Sequence, residues 1–327
     1  MYLEHFGLNE PPFKVTPVTD FFFSGANRGE ILDALVYAIT DGEGIVKVSG
    51  EDARDFLNGL VTTDVAKLRP GVGQFGALLT PQGKITVDFL ITEVPAGHGG
   101  GFLIDCPRAL AQGLAGKLRF YKLRAKVEVE NLSDDLGVVA AWDGDLATQP
   151  DLAFPDPRDV ALGFRILAPE ELKQKVADLI GAELVDASAY EARRIASGAP
   201  RGGLDFMYGD AFPHETNMDR LNGVDFDKGC YVGQEVVSRM QHRGTARTRT
   251  VRIILDGPSP EPGATILAGE KPVGTVGSTS GQNGLALIRT DRVADALDAG
   301  LALTAGGLPI RLAAPEALRA ATGHTAA

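Results

Sequence analysis

A cysteine in an unusual setting is the first residue of this sequence that could carry chemistry. Cys230 lies in the stretch FDKGCYVGQEVVSRMQHRG, residues 226–244, and is one of only 2 cysteines in the chain. A cysteine that serves packing normally has apolar neighbours, whereas the neighbours of this one are polar residues and glycines. They are Lys228, Gly229, Tyr231, Gly233, Gln234 and Glu235. The setting favours a functional thiol, and a buried structural thiol in a glycine-rich turn is the alternative.

The segment after Cys230 predicts how this thiol would be activated. EVVSRMQH has the pattern of a helix whose N-terminus lies just downstream of the cysteine. A helix N-terminus and the nearby Lys228 both favour the thiolate, which is the form that ligates metals and attacks electrophiles. We therefore assign Lys228 to thiolate stabilisation. The remaining motif residues are expected to shape and fix the loop by backbone conformation, hydrogen bonds and ion pairing: Gly229, Gly233, Gln234, Glu235 and Arg239.

A single thiolate cannot complete a metal site, since tetrahedral zinc and iron-sulfur clusters take four ligands. The sequence has no CxxC pair and no HExxH motif, and His214 and His242 are the only histidines near Cys230 in sequence. A metal at Cys230 would need ligands from a partner, a second copy, glutathione or a distant residue.

Composition limits the functional classes. The chain has 327 residues, 44% of them hydrophobic, and a net charge of −11. This acidic balance argues against a general nucleic-acid binder, and no apolar run is long enough to cross a membrane. We predict a globular protein of two or three units in the reducing cytoplasm. Cys106, in FLIDCPRAL, is expected to be a buried small hydrophobe.

The elements that must position the motif alternate between helix and strand before the chain becomes all strand. Ser49 and Asp52 predict a capped helix with its apolar stripe at Ala53, Phe56, Leu57 and Leu60. A hairpin is predicted for FGALLTPQG and KITVDFLIT, and Pro107 predicts the start of a second helix. A strand is predicted for AKVEVEN and a third helix for PEELKQKVADLIG. Ser188 and Glu191 predict the capping box of a further helix that ends at Gly198. From Arg247 onward, short strands between Gly and Pro predict a small β-barrel.

The predicted domain organisation has four parts. Residues 1–42 form an extension, 43–245 the α+β core, 246–318 the barrel and 319–327 a tail. The Pro- and Asp-rich stretch 143–159 predicts a subdomain joint in the core. RGEILDALVYAI, in the extension, predicts a helix with its apolar stripe at Ile31, Leu32, Leu35, Val36 and Ile39.

The motif residues carry a resemblance to a known family. KGCYVGQE, with PHETNMDRLNGVDF before it and SRMQHRGTARTR after it, resembles the YgfZ family. That family is similar to the mitochondrial Iba/Caf17-type proteins and is a relative of the glycine-cleavage T protein. The likeness extends through VKVSGEDARDFLNGLVTTDV, GALLTPQGKITVDFLI, FYKLRAKVEVENLSD, RGGLDFMYGDAFPHETN and LALIRTDRV, about residues 44–315.

The resemblance implies a T-protein-like α+β fold, with two subdomains around a central folate channel and a C-terminal barrel. It implies a tetrahydrofolate-binding accessory factor for 4Fe-4S cluster assembly or repair that also affects tRNA-modifying iron-sulfur enzymes. The family's essential cysteine falls on Cys230, which would share a cluster with an A-type carrier protein. Client iron-sulfur enzymes are the other expected partners, and neither a membrane nor direct contact with nucleic acid is expected.

The folate residues implied by the resemblance are carboxylates for the pterin and cations for the glutamate tail. Asp88 and Glu215 match the T-protein folate region, and the further candidates are Asn217, Tyr121, Arg124, Lys122 and Arg119. The basic run GKLRFYKLR is equally consistent with a solvated helix end. T proteins have paired aspartates where this chain has Val87 and Asp88, which puts aminomethyl transfer in doubt. A folate-dependent C1 transferase remains the alternative function.

The N-terminal stretch carries a different resemblance. Residues 1–47 are similar to the opening of a secretion-type AAA ATPase, but the chain contains no GxxxxGK[ST] loop. Without the backbone amides and lysine of that loop there is no cradle for phosphates. No nucleotide is therefore expected among the cofactors.

Overall fold

The computed structural model describes residues 36–39, 42–144, 152–180, 182–244 and 246–322. The chain divides into two compact units. Of the described residues, the first unit contains those up to Ala77 together with those of Val87–Tyr190, and the second contains Leu78–Thr86 and those from Glu191 onward. The strands Leu136–Trp142 and Phe164–Pro169, on either side of the predicted joint at residues 143–159, lie in one sheet of the first unit.

The described strands are β1 (Val36–Ile39), β2 (Glu43–Ser49), β3 (Gly73–Leu79), β4 (Ile85–Glu93), β5 (Phe102–Pro107), β6 (Glu128–Asn131), β7 (Leu136–Trp142), β8 (Ala153–Pro155), β9 (Phe164–Pro169), β10 (Glu183–Leu184), β11 (Thr248–Leu255), β12 (Thr265–Ala268), β13 (Lys271–Ser280), β14 (Asn283–Arg289), β15 (Leu303–Ala305) and β16 (Leu308–Leu312). The described α-helices are α1 (Ala53–Asn58), α2 (Arg108–Tyr121), α3 (Lys173–Ile180), α4 (Ala187–Ser197), α5 (Gln234–Arg243), α6 (Thr290–Asp298) and α7 (Pro315–Thr322).

One five-stranded sheet has the order β3-β4-β5-β2-β6. The predicted hairpin is confirmed as β3 and β4, and Gly83 adopts a φ of +80° in their turn. Strands β2 and β5 pair antiparallel in the middle of the sheet, with Ile45 opposite Asp105. Helix α2 contacts β2 and β6 and buries Ala111, Leu114, Ala115 and Leu118, the spacing of one helical face.

The second sheet has the order β10-β1-β7-β9-β8, and every residue of β7 is buried. Its strand β1 corrects the predicted N-terminal helix, because the backbone of Val36–Ile39 pairs antiparallel with β7 and parallel with β10. A short apolar run does not distinguish helix from strand by periodicity. Here the segment is a strand because it pairs with two neighbouring strands, β7 and β10. The first part of the predicted helix, residues 28–35, lies outside the described residues.

The C-terminal strands form a closed barrel in the order β11-β14-β13-β12-β15-β16. Inward residues such as Ile253, Val276 and Ile288 form its core, and Val293 of α6 and Leu318 of α7 pack against the same cluster. Closure leaves no free strand edge in this sheet, which explains how such short strands form a stable unit.

Two predicted helix caps are wrong, although both helices are present. Helix α1 begins after Asp52, whose carboxylate accepts a hydrogen bond from the backbone N–H of Lys126. Before α4, the carboxylate of Asp186 accepts from the N–H of Ser188, and Glu191 instead pairs with Arg194. Before α4 the aspartate replaces the predicted serine as the local acceptor, whereas at α1 no side chain caps the helix and Asp52 bonds to a distant segment.

Candidate functional site

Cys230 is an exposed free thiol in the loop before α5, in the second unit. Its exposure excludes the alternative of a buried structural thiol. Cys106, on β5, is buried as predicted. Because the helix begins at Gln234, the thiol precedes the N-terminus of α5 by one short turn of chain.

The loop that carries Cys230 is fixed at Gly233. This residue has a φ of +83°, and a Cβ on it would lie 2.6 Å from the carbonyl oxygen of Thr80. A Cβ on Gly83, in the same β3–β4 turn, would lie 3.0 Å from Cβ of Val236. The turn therefore packs directly on the start of α5. Gly229 faces open space and has no positive φ, so only Gly233 is required by the backbone.

Lys228 is buried beside Tyr231 rather than extended into solvent. The side chain of Lys228 lies with Nζ 5.2 Å from the centroid of the Tyr231 ring, a cation–π contact. Burial, reinforced by the charge of Asp225, raises the pKa of Tyr231 to about 12. Asp225 also accepts from the backbone N–H groups of Asp227 and Lys228. The segment before the thiol is thus held by its own turn.

The polar residues after Cys230 lie on the surface of α5. The backbone N–H of Gln234 donates to the Tyr231 carbonyl at 3.3 Å. Glu235 and Arg239 form an ion pair one helical turn apart, and their side chains are 85% and 55% exposed. Ion pairs in such positions contribute little to stability.

Two of the folate candidates lie in the second unit. Glu215 is half-buried, and its Oε2 accepts from the backbone N–H of Phe212 at 2.8 Å. Burial raises the pKa of this carboxyl, against the lowering effects of that hydrogen bond and of Lys84. Asn217 adopts a φ of +59°, and its amide donates to the Thr250 carbonyl and accepts from Arg249. The Asn217 amide therefore already has protein partners at both ends.

The other folate candidates lie in the first unit. Asp88 is half-buried on β4, Tyr121 is half-buried at the end of α2, and Arg124 is exposed. Arg119 donates to the carbonyl of Val129 and Lys122 to that of Val127. These two cations thus tie the end of α2 to the segment around β6.

A buried ion network in the first unit was not predicted. Arg165 donates from Nε and Nη2 to Oδ2 of Asp105 at 3.0 and 2.6 Å, and Glu43 lies 3.5 Å from Nη2. Burial, with a smaller contribution from Glu43, raises the pKa of Asp105 to about 7 despite the opposing charge of Arg165. The only signal in the sequence is an aspartate inside the apolar run FLIDCP. Its partner on β9 is 60 residues away.

The second unit contains a comparable network around Arg194 of α4. Its guanidinium donates to Asp205 at 2.9 Å and to Glu191 at 2.9 Å, and it also reaches the hydroxyl of Ser278 on β13. Asp205 accepts in turn from the Ser278 N–H at 2.7 Å. This network fixes the 201–206 turn to the barrel.

Within the ranges that the structure describes, no group of three or more His, Cys, Asp or Glu side chains is placed to hold a metal ion. Within the same ranges, no helix is long and apolar enough to cross a membrane.

Comparison with known proteins finds several relatives that carry the same name. The family model described as CAF17, C-terminal beta-barrel domain, matches residues 247–320. The iron-sulfur cluster assembly factor IBA57, mitochondrial, of Mus musculus is 32% identical over 280 residues, 77% of this chain and 77% of the relative. The Homo sapiens protein of the same name is 31% identical with the same coverage. An IBA57 homologue of Mycosarcoma maydis is 37% identical over 221 residues. The chain spans about half of that fungal relative, 54% of its length.

Among solved structures, the glycine cleavage system aminomethyltransferase T from Bartonella henselae has a TM-score of 0.66 with 16% identity. The match covers 85% of this chain and 84% of the transferase. This likeness confirms the predicted T-protein-like fold with mixed helices and strands and a C-terminal barrel. At this identity it concerns the fold alone.

Two predictions do not survive these comparisons. The cytoplasmic location is contradicted, because the curated relatives are named as mitochondrial proteins. It rested on cysteine usage and on the lack of long apolar runs. These features do not separate the cytoplasm from the mitochondrial matrix. The resemblance of residues 1–47 to a secretion-type AAA ATPase receives no support, and most of those residues lie outside the described ranges.

Proposed function

Because the chain belongs to the family of the IBA57 iron-sulfur cluster assembly factors, we propose that it acts in iron-sulfur cluster assembly through the thiolate of Cys230. The observation that carries this proposal is the exposure of Cys230 on a fixed loop before α5. Cluster iron is bound by cysteine thiolates. In this role the cluster is cargo that the protein helps to deliver.

The loop geometry supports a ligand role over a role in packing. The Cys230 side chain is exposed, while the residues on both sides of it are anchored by Asp225, by the buried Tyr231 and by Gly233 against Thr80. A ligand on such a frame presents its sulfur to a partner without a large loss of loop entropy.

One thiolate supplies one of the four ligands of a cluster. We propose that an A-type carrier protein supplies the others, so that the cluster is shared between the two proteins before it passes to a client enzyme. Enzymes with 4Fe-4S clusters, including tRNA-modifying ones, are the proposed clients. The family relationship and the single exposed thiol support this arrangement.

Tetrahydrofolate binding is the finer part of the proposal. A pterin presents neighbouring N–H donors that a carboxylate accepts in pairs. Glu215 fits this need, because only its Oε2 is engaged within the described residues and the side chain is half-buried. Asp88 remains a candidate by its position. Bound folate would supply one-carbon chemistry, but the chain has Val87 beside Asp88 where T proteins have paired aspartates. The C1 transferase alternative is not favoured, since the transferase likeness shows the fold alone.

The test is anaerobic cluster reconstitution with a purified A-type carrier, followed by visible absorption spectroscopy. Wild type and Cys106→Ala are expected to form a carrier-dependent chromophore, and Cys230→Ser is expected to lose it. Cys106→Ala is the matched control because it removes the other thiol. A Cys230→Ser protein that forms the same chromophore would remove Cys230 from the ligand set and defeat the proposal.

The folate part has its own test. Equilibrium binding of tetrahydrofolate to Glu215→Gln is expected to be about 10-fold weaker than to wild type, because the charged acceptor is lost. Cys230→Ser is expected to bind folate normally. Equal folate affinity of Glu215→Gln and wild type would argue against the pterin contact while leaving the cluster proposal standing.

A further inference from the structure

A cavity in the second unit is not used by the proposed function. Its volume is about 590 Å³, and it is bounded by the ends of α4 and α5, by β11 and by the segment from β16 into α7. This size is typical of sites for small organic molecules. Neither Cys230 nor Glu215 is among the lining residues.

The polar part of the wall carries an excess of positive charge. Arg220, Arg249 and Arg252 all line the cavity. Arg249 is neutralised by Asp219 at 2.8 Å, and Arg252 donates to the carbonyl of Ala196. The guanidinium of Arg220 makes neither an ion pair nor a hydrogen bond within the described residues. Arg220 is therefore a cation available to an anionic ligand.

His214 is a buried residue of the cavity wall. This lining residue is only 2% exposed, and its Nε2 lies 3.0 Å from Oε1 of Gln241. Nδ1 of His214 is buried and has no hydrogen-bond partner among the residues that the structure describes. Burial lowers the pKa of His214, against the raising effects of the Gln241 hydrogen bond and of Asp219.

Part of the wall is apolar. Val251 on β11, Leu312 on β16 and the first turns of α7 at Ala317 and Leu318 provide hydrophobic surface. Most other polar side chains of the wall already have protein partners. Asn217 is bonded to Thr250 and Arg249, and the Thr290 hydroxyl donates to the Arg247 carbonyl. A ligand thus meets one available cation beside an apolar surface.

We propose that this cavity binds a small amphiphilic anion, a carboxylate on an apolar body, with the carboxylate paired to Arg220. The apolar body lies against Val251, Leu312 and Leu318. This site is separate from the thiol proposed to ligate the cluster, and it does not depend on that proposal.

The test uses octanoate as the probe, with octan-1-ol as a neutral probe of the same chain length and inorganic phosphate as an anion without an apolar body. Binding is followed in the full chain by the NMR signal of the Met240 methyl group, which lines the cavity. Octanoate is expected to saturate that signal at least about 10-fold more tightly than either control probe, a factor equivalent to about 1.4 kcal/mol.

Three variants locate the site. Arg220→Gln is expected to weaken octanoate about 10-fold and leave octanol unchanged. Arg243→Gln removes an exposed arginine of the same region that does not line the cavity, and is expected to change nothing. Ala317→Phe is expected to block octanoate by filling the cavity. Arg220 is exposed, so Arg220→Gln remains informative if Ala317→Phe does not fold.

The proposal is overturned if octanoate fails to saturate the Met240 signal, or if octan-1-ol or phosphate binds as tightly. It is also overturned if Arg220→Gln and Arg243→Gln have equal effects. Those results would leave the cavity as a packing defect without selectivity for amphiphilic anions.

Discussion

The two cysteines of this chain lie in opposite environments. Cys106 is 1% exposed on β5, and burial together with the neighbouring charge of Asp105 raises the pKa of its thiol. Cys230 is exposed in a loop fixed by its own turns. The region around Cys106 keeps its charges paired inside the protein, whereas the region around Cys230 places Glu235 and Arg239 in solvent. Chemistry is thus available at one thiol and suppressed at the other.

The largest expected difference between the two regions is in thiol alkylation. Iodoacetamide at pH 8 is expected to modify Cys230 more than about 1000-fold faster than Cys106. A core thiol reacts only when the surrounding structure opens, which costs several kcal/mol. Mass spectrometry of peptides from a native time course gives both rates.

Denaturation in urea supplies the control, since both thiols are expected to react at similar rates once the chain is unfolded. If Cys230 is as protected as Cys106 in the native protein, the contrast fails and so does the proposed ligand role.

The buried network beside Cys106 is expected to be the most sensitive to mutation. Arg165→Met leaves Asp105 without its partner, and breaking a buried pair in this way costs about 3–5 kcal/mol. The matched control is Arg311→Met, which breaks an exposed pair with Asp256 and should cost less than about 1 kcal/mol. Urea unfolding measures both. Equal losses would show that burial does not set the strength of these pairs.

The same network predicts a pH dependence of definite sign. The pKa of Asp105 is raised to about 7 in the folded protein, above the value of roughly 4 for an unfolded aspartate. The native state therefore holds more protons between these values, and its stability falls as the pH rises through this window. The slope from this group is at most about 1.4 kcal/mol per pH unit. Asp105→Asn is expected to flatten the curve of unfolding free energy between about pH 4 and pH 7.

A control isolates this contribution. Asp291→Asn removes a carboxyl of an exposed pair whose pKa is lowered, so it should leave the slope between about pH 5 and pH 7 unchanged, above its own titration range. A steep fall that persists in Asp105→Asn would assign the pH dependence to other groups.

Two glycine variants test whether the backbone fixes the Cys230 loop. Gly233→Ala forces a Cβ at positive φ against the Thr80 carbonyl, and is expected to cost about 1–3 kcal/mol. Gly229→Ala meets open space and is expected to change stability by less than about 0.5 kcal/mol. Thermal unfolding compares the two variants. Similar costs would mean that Gly233 does not fix the loop.

The sequence predicted those parts of the fold that depend on local patterns. The apolar stripe at Leu114 and Leu118 identified α2, the Pro-Gln-Gly turn identified the β3–β4 hairpin, and the Gly-punctuated strands identified the barrel. The exposed thiol was also predictable, because Cys230 has polar neighbours. In each case the determining residues are close together in the chain.

The failures came from contacts between distant segments. Val36–Ile39 became a strand because β7 and β10 accept it on both sides. Ser49 does not cap α1, because the helix begins after Asp52. The Asp52 carboxylate accepts a hydrogen bond from the backbone N–H of Lys126, far along the chain. The pairing of Asp105 with Arg165 joins two strands that no local pattern connects. The backbone role of Gly233 likewise depends on Thr80.

The smallest expected effect concerns the exposed ion pair on α5. Arg239→Gln removes a pair of spacing i, i+4 in solvent, and should lower the free energy of unfolding by only about 0.3–0.5 kcal/mol. The loss should shrink further in 1 M salt, where the screening length is about 3 Å. Urea unfolding at low and high salt, with Glu235→Gln as the reciprocal variant, measures it. A salt-independent loss above about 1 kcal/mol would show that Arg239 anchors the Cys230 loop directly, as the motif suggested. The loop would then be held by side-chain contacts as well as by its backbone.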